Sequence, residues 1–318
     1  MFRITHNIQS GNYRFPQVNG IVVERSMENL TSTCTITLPR NVKYQGNEVS
    51  KLIKKGDPVI VEAGYDDQNN LLFSGYVRQI VTGTPLRIEC EDEMYRLKQI
   101  TVSTEHFPSL QLSALLSKYL PADISNQTQD VSLGEFRISN NPNLAKVLDY
   151  IKENYGLRFF FKDKTLYGVL PSAALSQQGK TVNLDFKQNI KEDRITYLED
   201  DEVKIIVKVK TVLPNNQKLE VQEPEKATDG QVHTFLALDK KTEKELRDYA
   251  KNLLVTFKPG NLTGNVKTWG EPFVEPGDFV KLIDADNSER NNKLCQVQKV
   301  VYSLMQPHLT QEIIIGRN

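Results

Sequence analysis

The chain contains the same short element twice, in residues 55–61 and again in residues 276–282. Each copy reads as a Gly-Asp turn that leads directly into an apolar strand. The residues that mark the two turns are Gly56, Asp57, Gly277 and Asp278. This spacing predicts one structural unit used twice, which constrains the fold more than any single motif in the chain.

The resemblance between the two copies extends beyond the turns. Polar residues follow each strand, at 66–70 in the first copy and 286–292 in the second, and a second apolar strand begins after each at 71–81 and 294–304. Asp and Asn side chains bond to their own backbone and therefore favour a turn. The repeat predicts a duplicated β-domain, so a homotrimer would contain six similar domains in a pseudo-sixfold ring.

Residues 30–38 alternate strictly between the two faces of a predicted strand. One face carries a row of threonines, Thr31, Thr33, Thr35 and Thr37. With further strands at 20–23, 59–61, 71–81 and 86–90, this pattern predicts a first domain of antiparallel strands, a barrel or a sandwich, over residues 1–97.

The pattern then changes to mixed helix and strand. Ser109 is a predicted helix cap with Pro121 as the stop, and a second helix is predicted from Asn141 to Gly156. Residues 157–169 follow as a predicted hairpin. Residues 98–190 are therefore expected to form a small α+β domain.

Strands return in residues 191–318. Lysines occur along the predicted strand 204–210, and Pro214-Asn215-Asn216 predicts a turn after it. A helix begins at the capping box of Thr242 and Glu245 and ends at Pro259-Gly260. The fold class is therefore α+β and mainly β, with two similar β-barrel domains, 1–97 and 191–318, flanking the small domain.

Composition excludes several functions. Forty basic and forty acidic residues cancel, so no global field draws the chain to nucleic acid or to a membrane. No run of apolar residues is long enough for membrane insertion, and the start lacks a signal peptide, so we expect synthesis in a bacterial cytoplasm. Cys34, Cys90 and Cys295 are distant in sequence and odd in number, so they predict neither a disulfide framework nor a zinc site. Cys34 and Cys90 fall on the apolar face of predicted strands and are expected to be buried small hydrophobes.

The sequence offers little catalytic chemistry. It has no phosphate-binding glycine loop, nucleophile elbow or His-Glu-x-x-His motif, and its four histidines are scattered. We therefore expect no enzyme activity, cofactor or metal. Two alternatives stay open: a cell-wall hydrolase using the acidic residues 199–202, and a carbohydrate- or nucleic-acid-binding module around Trp269, Tyr76 and Phe73.

The order of these elements resembles the baseplate hub proteins of contractile phage tails, the Mu-like and late control protein D type, which also form the base of Vgr-type spikes. The matching signals span the chain, and each is short. They are Lys-Gly-Asp-x-Val at 55–59, the strand 73–77, the segment 89–97, the central α+β domain, and residues 264–280.

The resemblance implies a structural role in a prophage tail or related contractile injection system. Such hubs are trimers whose pseudo-sixfold ring joins the tail tube protein to the spike, beside other baseplate proteins, while DNA passes through the lumen. The resemblance thus implies a virion location in the tail baseplate. Because the chain stops soon after residue 315, we expect the spike to be a separate protein.

A lumen for DNA should not grip phosphates, because each Lys or Arg contact retains the strand. Two faces are candidates for the lumen. The threonine face (Thr31, Thr33, Thr35 and Thr37) is preferred, and the lysines at 204, 208 and 210 are expected on the outer surface.

Overall fold

Strands dominate the chain, because apolar and polar residues alternate over most of its length. The computed structural model describes residues 3–40, 42–44, 47–169, 179–197, 204–213, 217–237, 240–257, 262–305 and 308–316. The strands are β1 Ile4–Ser10, β2 Tyr13–Phe15, β3 Gly20–Ser26, β4 Thr33–Leu38, β5 Lys43–Tyr44, β6 Asn47–Glu48, β7 Pro58–Tyr65, β8 Gln68–Val81, β9 Leu86–Glu91, β10 Glu105–Gln111, β11 Ser125–Thr128, β12 Ser132–Ile138, β13 Arg158–Lys162, β14 Thr165–Val169, β15 Thr181–Asp185, β16 Ile190–Tyr197, β17 Ile205–Val212, β18 Lys218–Glu223, β19 Gln231–Leu236, β20 Leu262–Trp269, β21 Phe279–Ile283, β22 Leu294–Met305 and β23 His308–Ile315. The helices are α1 Val49–Leu52, α2 Met94–Leu97, α3 Leu112–Tyr119, α4 Leu144–Tyr155 and α5 Glu243–Phe257.

These elements form two compact units. The first unit contains Met1–Tyr95, Gly179–Ile195 and Gly264–Ile315, and the second contains Arg96–Gln178, Thr196–Thr263 and Gly316–Asn318. The units are therefore not consecutive stretches, unlike the predicted domains 1–97, 98–190 and 191–318. The difference arises because β22 pairs with β3 of the first unit, whereas α5 packs on β17 and β18 of the second.

The first unit is built on one sheet of 13 strands. Its main path runs β16-β20-β23-β22-β3-β4-β9-β8-β7-β1-β2, and β21 joins β22 to β15. Most neighbours are antiparallel, and β15 with β21 is a parallel pair. The mostly β character of the fold is thus as predicted, and the division into two closed barrels stays a prediction.

The inner face of β4 shows why this sheet is stable. Cys34, Ile36 and Leu38 are at most 1% exposed, whereas Thr33, Thr35 and Thr37 point to the opposite face. The strand begins at Thr33, so the prediction of a strand from residue 30 was wrong at its start. Residues 28–31 bend, because the Ser26 hydroxyl accepts bonds from the next backbone amides instead of continuing the ladder.

The first polar break is shorter than predicted. Strand β8 begins at Gln68, not at residue 71, because Asp66 and Asp67 alone make the turn with positive φ angles of 51° and 65°. Two successive residues of this conformation form a tight hairpin turn whose twist matches that of the strands. The second copy instead has a longer loop, in which the Asp284 amide donates a hydrogen bond to the Asn291 side-chain oxygen at 3.1 Å.

In the second unit, helix α4 ends at the predicted glycine, but its cap is Asn143 rather than the predicted Asn141. The Asn143 side chain accepts a bond from the Lys146 amide, and Gly156 ends the helix in the left-handed conformation with φ of 72°. The hairpin of β13 and β14 comes directly afterwards, as predicted. Ser109 was wrongly predicted as a cap, because it lies in β10, whose pairing with β12 extends to Gln111 before α3 begins.

A second part of this unit places α5 against a three-stranded sheet of β18, β17 and β19. The buried side chains between them come from the strands and from one stripe of the helix: Val207, Val209, Val221, Phe235, Ala237, Leu246, Ala250 and Leu253. The capping box is present, with the Glu245 carboxylate accepting from the Thr242 amide at 3.0 Å. The predicted turn at 214–216 and helix stop at 259–260 lie outside the described residues.

We expect Thr242→Ala to lower the free energy of unfolding by about 1 kcal/mol, because the hydroxyl that accepts from the Glu245 amide is lost. Thr242→Ser keeps the hydroxyl and is the matched control, with little change. Urea unfolding followed by circular dichroism measures both. Equal stability of the alanine and serine variants would contradict a stabilising cap.

Candidate interaction surfaces

The two Gly-Asp turns have the same hydrogen bonds to the strand that follows. The Gly56 amide donates to the Val77 carbonyl at 2.8 Å, and the Gly277 amide donates to the Val297 carbonyl at 2.8 Å. In return, the Val77 amide donates to the Asp57 carbonyl and the Val297 amide to the Asp278 carbonyl, both at 2.9 Å. Each turn therefore occupies one edge of its partner strand.

The side chains of the two turns also match. The Asp57 carboxylate accepts from the Lys54 amide at 2.7 Å, and the Asp278 carboxylate accepts from the Glu275 amide at 2.9 Å. Gly56 and Gly277 have φ angles of 88° and 93°, a conformation that side-chain-bearing residues rarely adopt. The acid closes the turn and the glycine permits its backbone.

A bulge follows each turn at the same place. Strand β8 pairs with β9 through Val77 and then shifts register before Gln79. Strand β22 pairs with β23 through Val297 and shifts before Lys299. A bulge increases local twist and redirects the strand. The duplication therefore extends from the turns to the strands beyond them.

Sequence reasoning missed the structural role of Asp92. Its carboxylate accepts from the Ser32 amide at 2.8 Å and from the Met94 amide at 3.0 Å, and it is 5% exposed. It therefore ties the loop before β4 to the start of α2. An acid two residues before a short helix can be recognised in the sequence as a helix cap. Its long-range bond to residue 32 cannot be recognised there.

In the structure, the threonine face of β4 consists of Thr33, Thr35 and Thr37. Thr33 lies opposite Glu24 of β3, and Thr35 lies opposite Glu89 of β9. Thr31 lies in the bend before the strand and does not continue this row. The face is thus polar, and it carries charges that the threonine pattern alone did not reveal.

The acidic side chains beside the threonines have basic partners. Glu24 accepts from Lys299 at 2.7 Å, and Glu89 pairs with Arg78. Exposed pairs of this kind contribute little stability, about 0–1 kcal/mol. Their consequence is electrostatic: opposite charges compensate at these two pairs, whereas the exposed Arg87, opposite Thr37, adds a basic group to the face.

The predicted outer lysines belong to the second unit, where Lys208 and Lys210 lie on β17 and Lys204 directly precedes it. Lys204 pairs with Asp229 at 3.0 Å and Lys210 pairs with Glu220 at 3.2 Å, while Lys208 is half-buried. Both paired lysines are exposed. Lys204 and Lys210 therefore form solvent-exposed ion pairs of the kind found on most protein surfaces.

Trp269 borders a cavity of about 1020 Å³ in the first unit. The lining includes Tyr65, Gln188, Asn189 and His308. The Lys191 ammonium lies 3.8 Å from the centre of the Trp269 ring, so one face of the indole is already covered. Burial raises the pKa of Tyr65, whose hydroxyl donates to the Leu309 carbonyl at 3.1 Å.

The structure does not bring the other proposed aromatic residues to this cavity. Phe73 is 3% exposed, and the Tyr76 hydroxyl donates to Glu93 at 3.1 Å. Neither side chain lines the space beside Trp269. The sequence-based grouping of the three aromatics was therefore wrong: they pack in different places.

Histidines and acids form no metal-binding group of three or more among the described residues. Burial, with the Arg14 charge as a smaller cause, lowers the pKa of His6, and burial lowers that of His233. His106 is exposed beside Glu135 at 3.0 Å. The acidic residues 199–202 lie outside the described part of the chain. No described helix is long and apolar enough to cross a bilayer.

The three cysteines are buried, as predicted for Cys34 and Cys90. Cys34 and Cys90 lie directly opposite each other on β4 and β9, although they are far apart in sequence. Burial and the neighbouring Cys90 thiol raise the pKa of Cys34 well above its usual range. Burial raises the pKa of Cys295 to about 11.

Comparison with solved structures identifies this architecture. The tail protein from Neisseria meningitidis MC58 has a TM-score of 0.67 at 15% identity, covering 99% of this chain and 97% of that one. The 43 kDa tail protein of prophage MuSo2 from Shewanella oneidensis has a TM-score of 0.67 at 13% identity, covering 99% and 98%. No protein-family model matches the sequence, and no curated protein matches it.

A third similar structure comes from a different machine. An Escherichia coli protein described as a component of the type VI secretion system has a TM-score of 0.60 at 8% identity, covering 98% of this chain and 76% of that one. The chain therefore has the fold of phage tail proteins, which is shared with a secretion component. The resemblance found in the sequence to the hub type of tail protein agrees with this fold.

We expect Gly56→Ala and Gly277→Ala each to lower the free energy of unfolding by about 1–2 kcal/mol, because both backbones are left-handed. The nearest atoms to an added methyl lie at 3.5 Å and 3.4 Å, so the cost is conformational and should be similar at the two turns.

Gly83→Ala is the matched control, because its φ is outside the left-handed region and its nearest contact is 3.5 Å. Chemical denaturation of the three variants measures the effect. A loss at one Gly-Asp turn without a loss at the other would contradict their structural equivalence.

We expect the native cysteines to resist alkylation at pH 8. Their thiols are buried, and the raised pKa values of Cys34 and Cys295 keep the reactive thiolate scarce. Mass spectrometry after iodoacetamide treatment should find the folded chain unmodified and the urea-unfolded chain modified three times. Rapid labelling of the folded chain would contradict their burial.

Proposed function

We propose that this protein is the baseplate hub of a phage tail or related contractile injection system. The observation that carries the proposal is the duplicated turn, bonded to Val77 in one copy and to Val297 in the other. Because each chain has two equivalent sheet regions, a trimer contains six of them. Such a ring can contact a sixfold tube on one side and a threefold spike on the other.

The fold supports this role. Two similar structures are tail proteins, and a third is a type VI secretion component. In the proposed assembly, the partners are two further copies of this chain, the tail tube protein, a separate spike protein and other baseplate proteins. The ring is made in the bacterial cytoplasm and ends in the virion tail.

The two barrel-like halves of the proposed ring are both in the first unit. The first comprises β7, β8, β9, β4 and β3, and the second comprises β21, β22, β23, β20 and β16. These halves, rather than the stretches 1–97 and 191–318, are the repeated domains that we propose.

We place the face of Thr33, Thr35 and Thr37 toward the lumen. Its hydroxyls are polar, and its neighbouring acids are paired with Lys299 and Arg78. A compensated surface of this kind releases DNA more easily than an unpaired row of lysines. In this role the hub holds no cofactor and catalyses no reaction.

A receptor- or carbohydrate-binding module is the second candidate, because the cavity beside Trp269 combines aromatic and amide side chains. Lys191 covers one face of the indole, which reduces the surface for stacking on a sugar. The hydrolase alternative depends on acids outside the described residues, and no described observation favours it.

We expect electron microscopy of the purified protein, or of isolated tails, to reveal a threefold ring with a central hole and six similar lobes. Native mass spectrometry should give three times the 36.3 kDa chain mass. The same reconstruction should place Thr33, Thr35 and Thr37 on the wall of the hole.

Trp269→Ala is the control for the binding alternative. If the protein is a hub, the Trp269→Ala variant should still form the ring. If it is a sugar-binding module, the variant should no longer be retained on immobilised cell-wall glycan. Monomers or twofold dimers in isolated tails would reject the hub, and threonines pointing away from the axis would reject only the lumen assignment.

A further inference from the structure

Strand β8 has a free backbone edge after its bulge. The turn at Gly56 and Asp57 occupies the edge of β8 opposite β9 as far as Val77. Beyond that point, residues 79–81 still pair with β9, but no strand of the described chain pairs with their other edge. An unpaired edge of this kind is a template for another strand.

The second copy of the repeat reveals what this edge can hold. In β22 the equivalent edge is occupied after Val297 by β3, with Lys299 opposite Ser26 and Leu304 opposite Ile21. The Met27 amide extends the contact by donating to the Gln298 carbonyl at 2.9 Å. We call this pairing of β22 with β3 the internal junction.

At the other end of the sheet, β16 occupies the position that corresponds to β3. Strand β3 pairs with β4, and β16 is the outer neighbour of β20. Gly264 of β20 lies opposite Ile315 of β23, in the same way that Cys34 of β4 lies opposite Cys90 of β9. Strand β20 is therefore the counterpart of β4.

The register of β16 can be placed within one residue. A Cβ atom built on Gly264 would be 1.9 Å from the Arg194 carbonyl oxygen and 3.0 Å from the Ile195 Cα. The backbone around Ile195 thus lies beside Gly264, where Val23 lies beside Cys34. No described strand pairs with the outer edge of β16.

Equivalent side chains are less buried at the two free edges, where no neighbouring strand of the described residues covers them, than in the internal junction. Val300 and Val23 are 0% exposed within the internal junction. Their counterparts, Ile80 on β8 and Ile195 on β16, are only half-buried. Each free edge therefore leaves an apolar side chain partly in water, and the two edges are complementary in position.

Resting on the proposed hub function, we propose that the β8 edge at residues 79–81 pairs with β16 of a second copy of this chain. This external junction repeats the internal junction of β22 with β3. It is heterologous, because one edge meets a different edge, and repeated head to tail it closes a ring. Internal and external junctions then alternate, and three chains give six.

The test uses two single-cysteine variants, Val81→Cys and Ile195→Cys, co-expressed and treated with a short bismaleimide. Val81 corresponds to Val301, whose partner in the internal junction is Glu24. Ile195 corresponds to Val23, the residue next to Glu24. The two new thiols should therefore lie within one residue of each other across the external junction. We expect cross-linked dimers from the co-expressed pair and none from either variant alone. The native cysteines are buried and serve as internal controls.

Val232→Cys is the matched control, because Val232 is an apolar strand residue that is 50% exposed and lies outside both edges. Paired with Val81→Cys, it should give no cross-link. Ile80→Asp should convert the trimer to monomer, while Val232→Asp should leave the trimer mass unchanged.

The outcomes separate this inference from the hub proposal. A threefold ring that gives no cross-link between residues 81 and 195, or that links residue 81 to residue 81, overturns the external junction and leaves the hub intact. A chain that gives neither ring nor cross-link, also in isolated tails, overturns both. A non-folding Ile80→Asp does not affect the test, because the cysteine variants decide it.

Discussion

The structure depends on the way one strand edge is shared by two successive partners. Each Gly-Asp turn bonds to the edge of the following strand, at Val77 or Val297, and a bulge then turns the strand away. The edge beyond the bulge is released for another strand. In the second copy, β3 takes this edge and joins the two halves of the sheet into 13 strands.

This arrangement explains why the compact units are discontinuous in sequence. The two halves of the first unit's sheet are joined by the pairing of residues near 25 with residues near 300. Helix α5 and its three strands do not join that sheet and belong to the second unit. The fold is thus organised by long-range strand pairing, which local sequence patterns do not encode.

The sequence predicted features whose cause is local. The stop of α4 at Gly156 and the capping box of Thr242 and Glu245 each depend on neighbouring residues, whereas the cap of α4 is Asn143, two residues after the predicted start at Asn141. Ser109 had a cap-like pattern, but pairing of β10 with β12 outweighed it. Of the proposed interaction surface, the threonine row was visible in sequence, whereas the compensating Lys299 and the open edge of β8 follow only from the sheet topology.

The two junctions must be similar without being interchangeable, and one charge difference achieves this. In the internal junction, Arg25 of β3 pairs with Glu275 at 2.8 Å, and both side chains are largely buried. Lys54 occupies the position of Glu275 in the first turn, because each residue donates its amide to the aspartate of its turn. Arg25 would therefore meet a positive charge at the β8 edge. Repulsion of this kind disfavours β3 of another copy there and leaves the edge to β16, so specificity comes from the mismatch as well as from the fit.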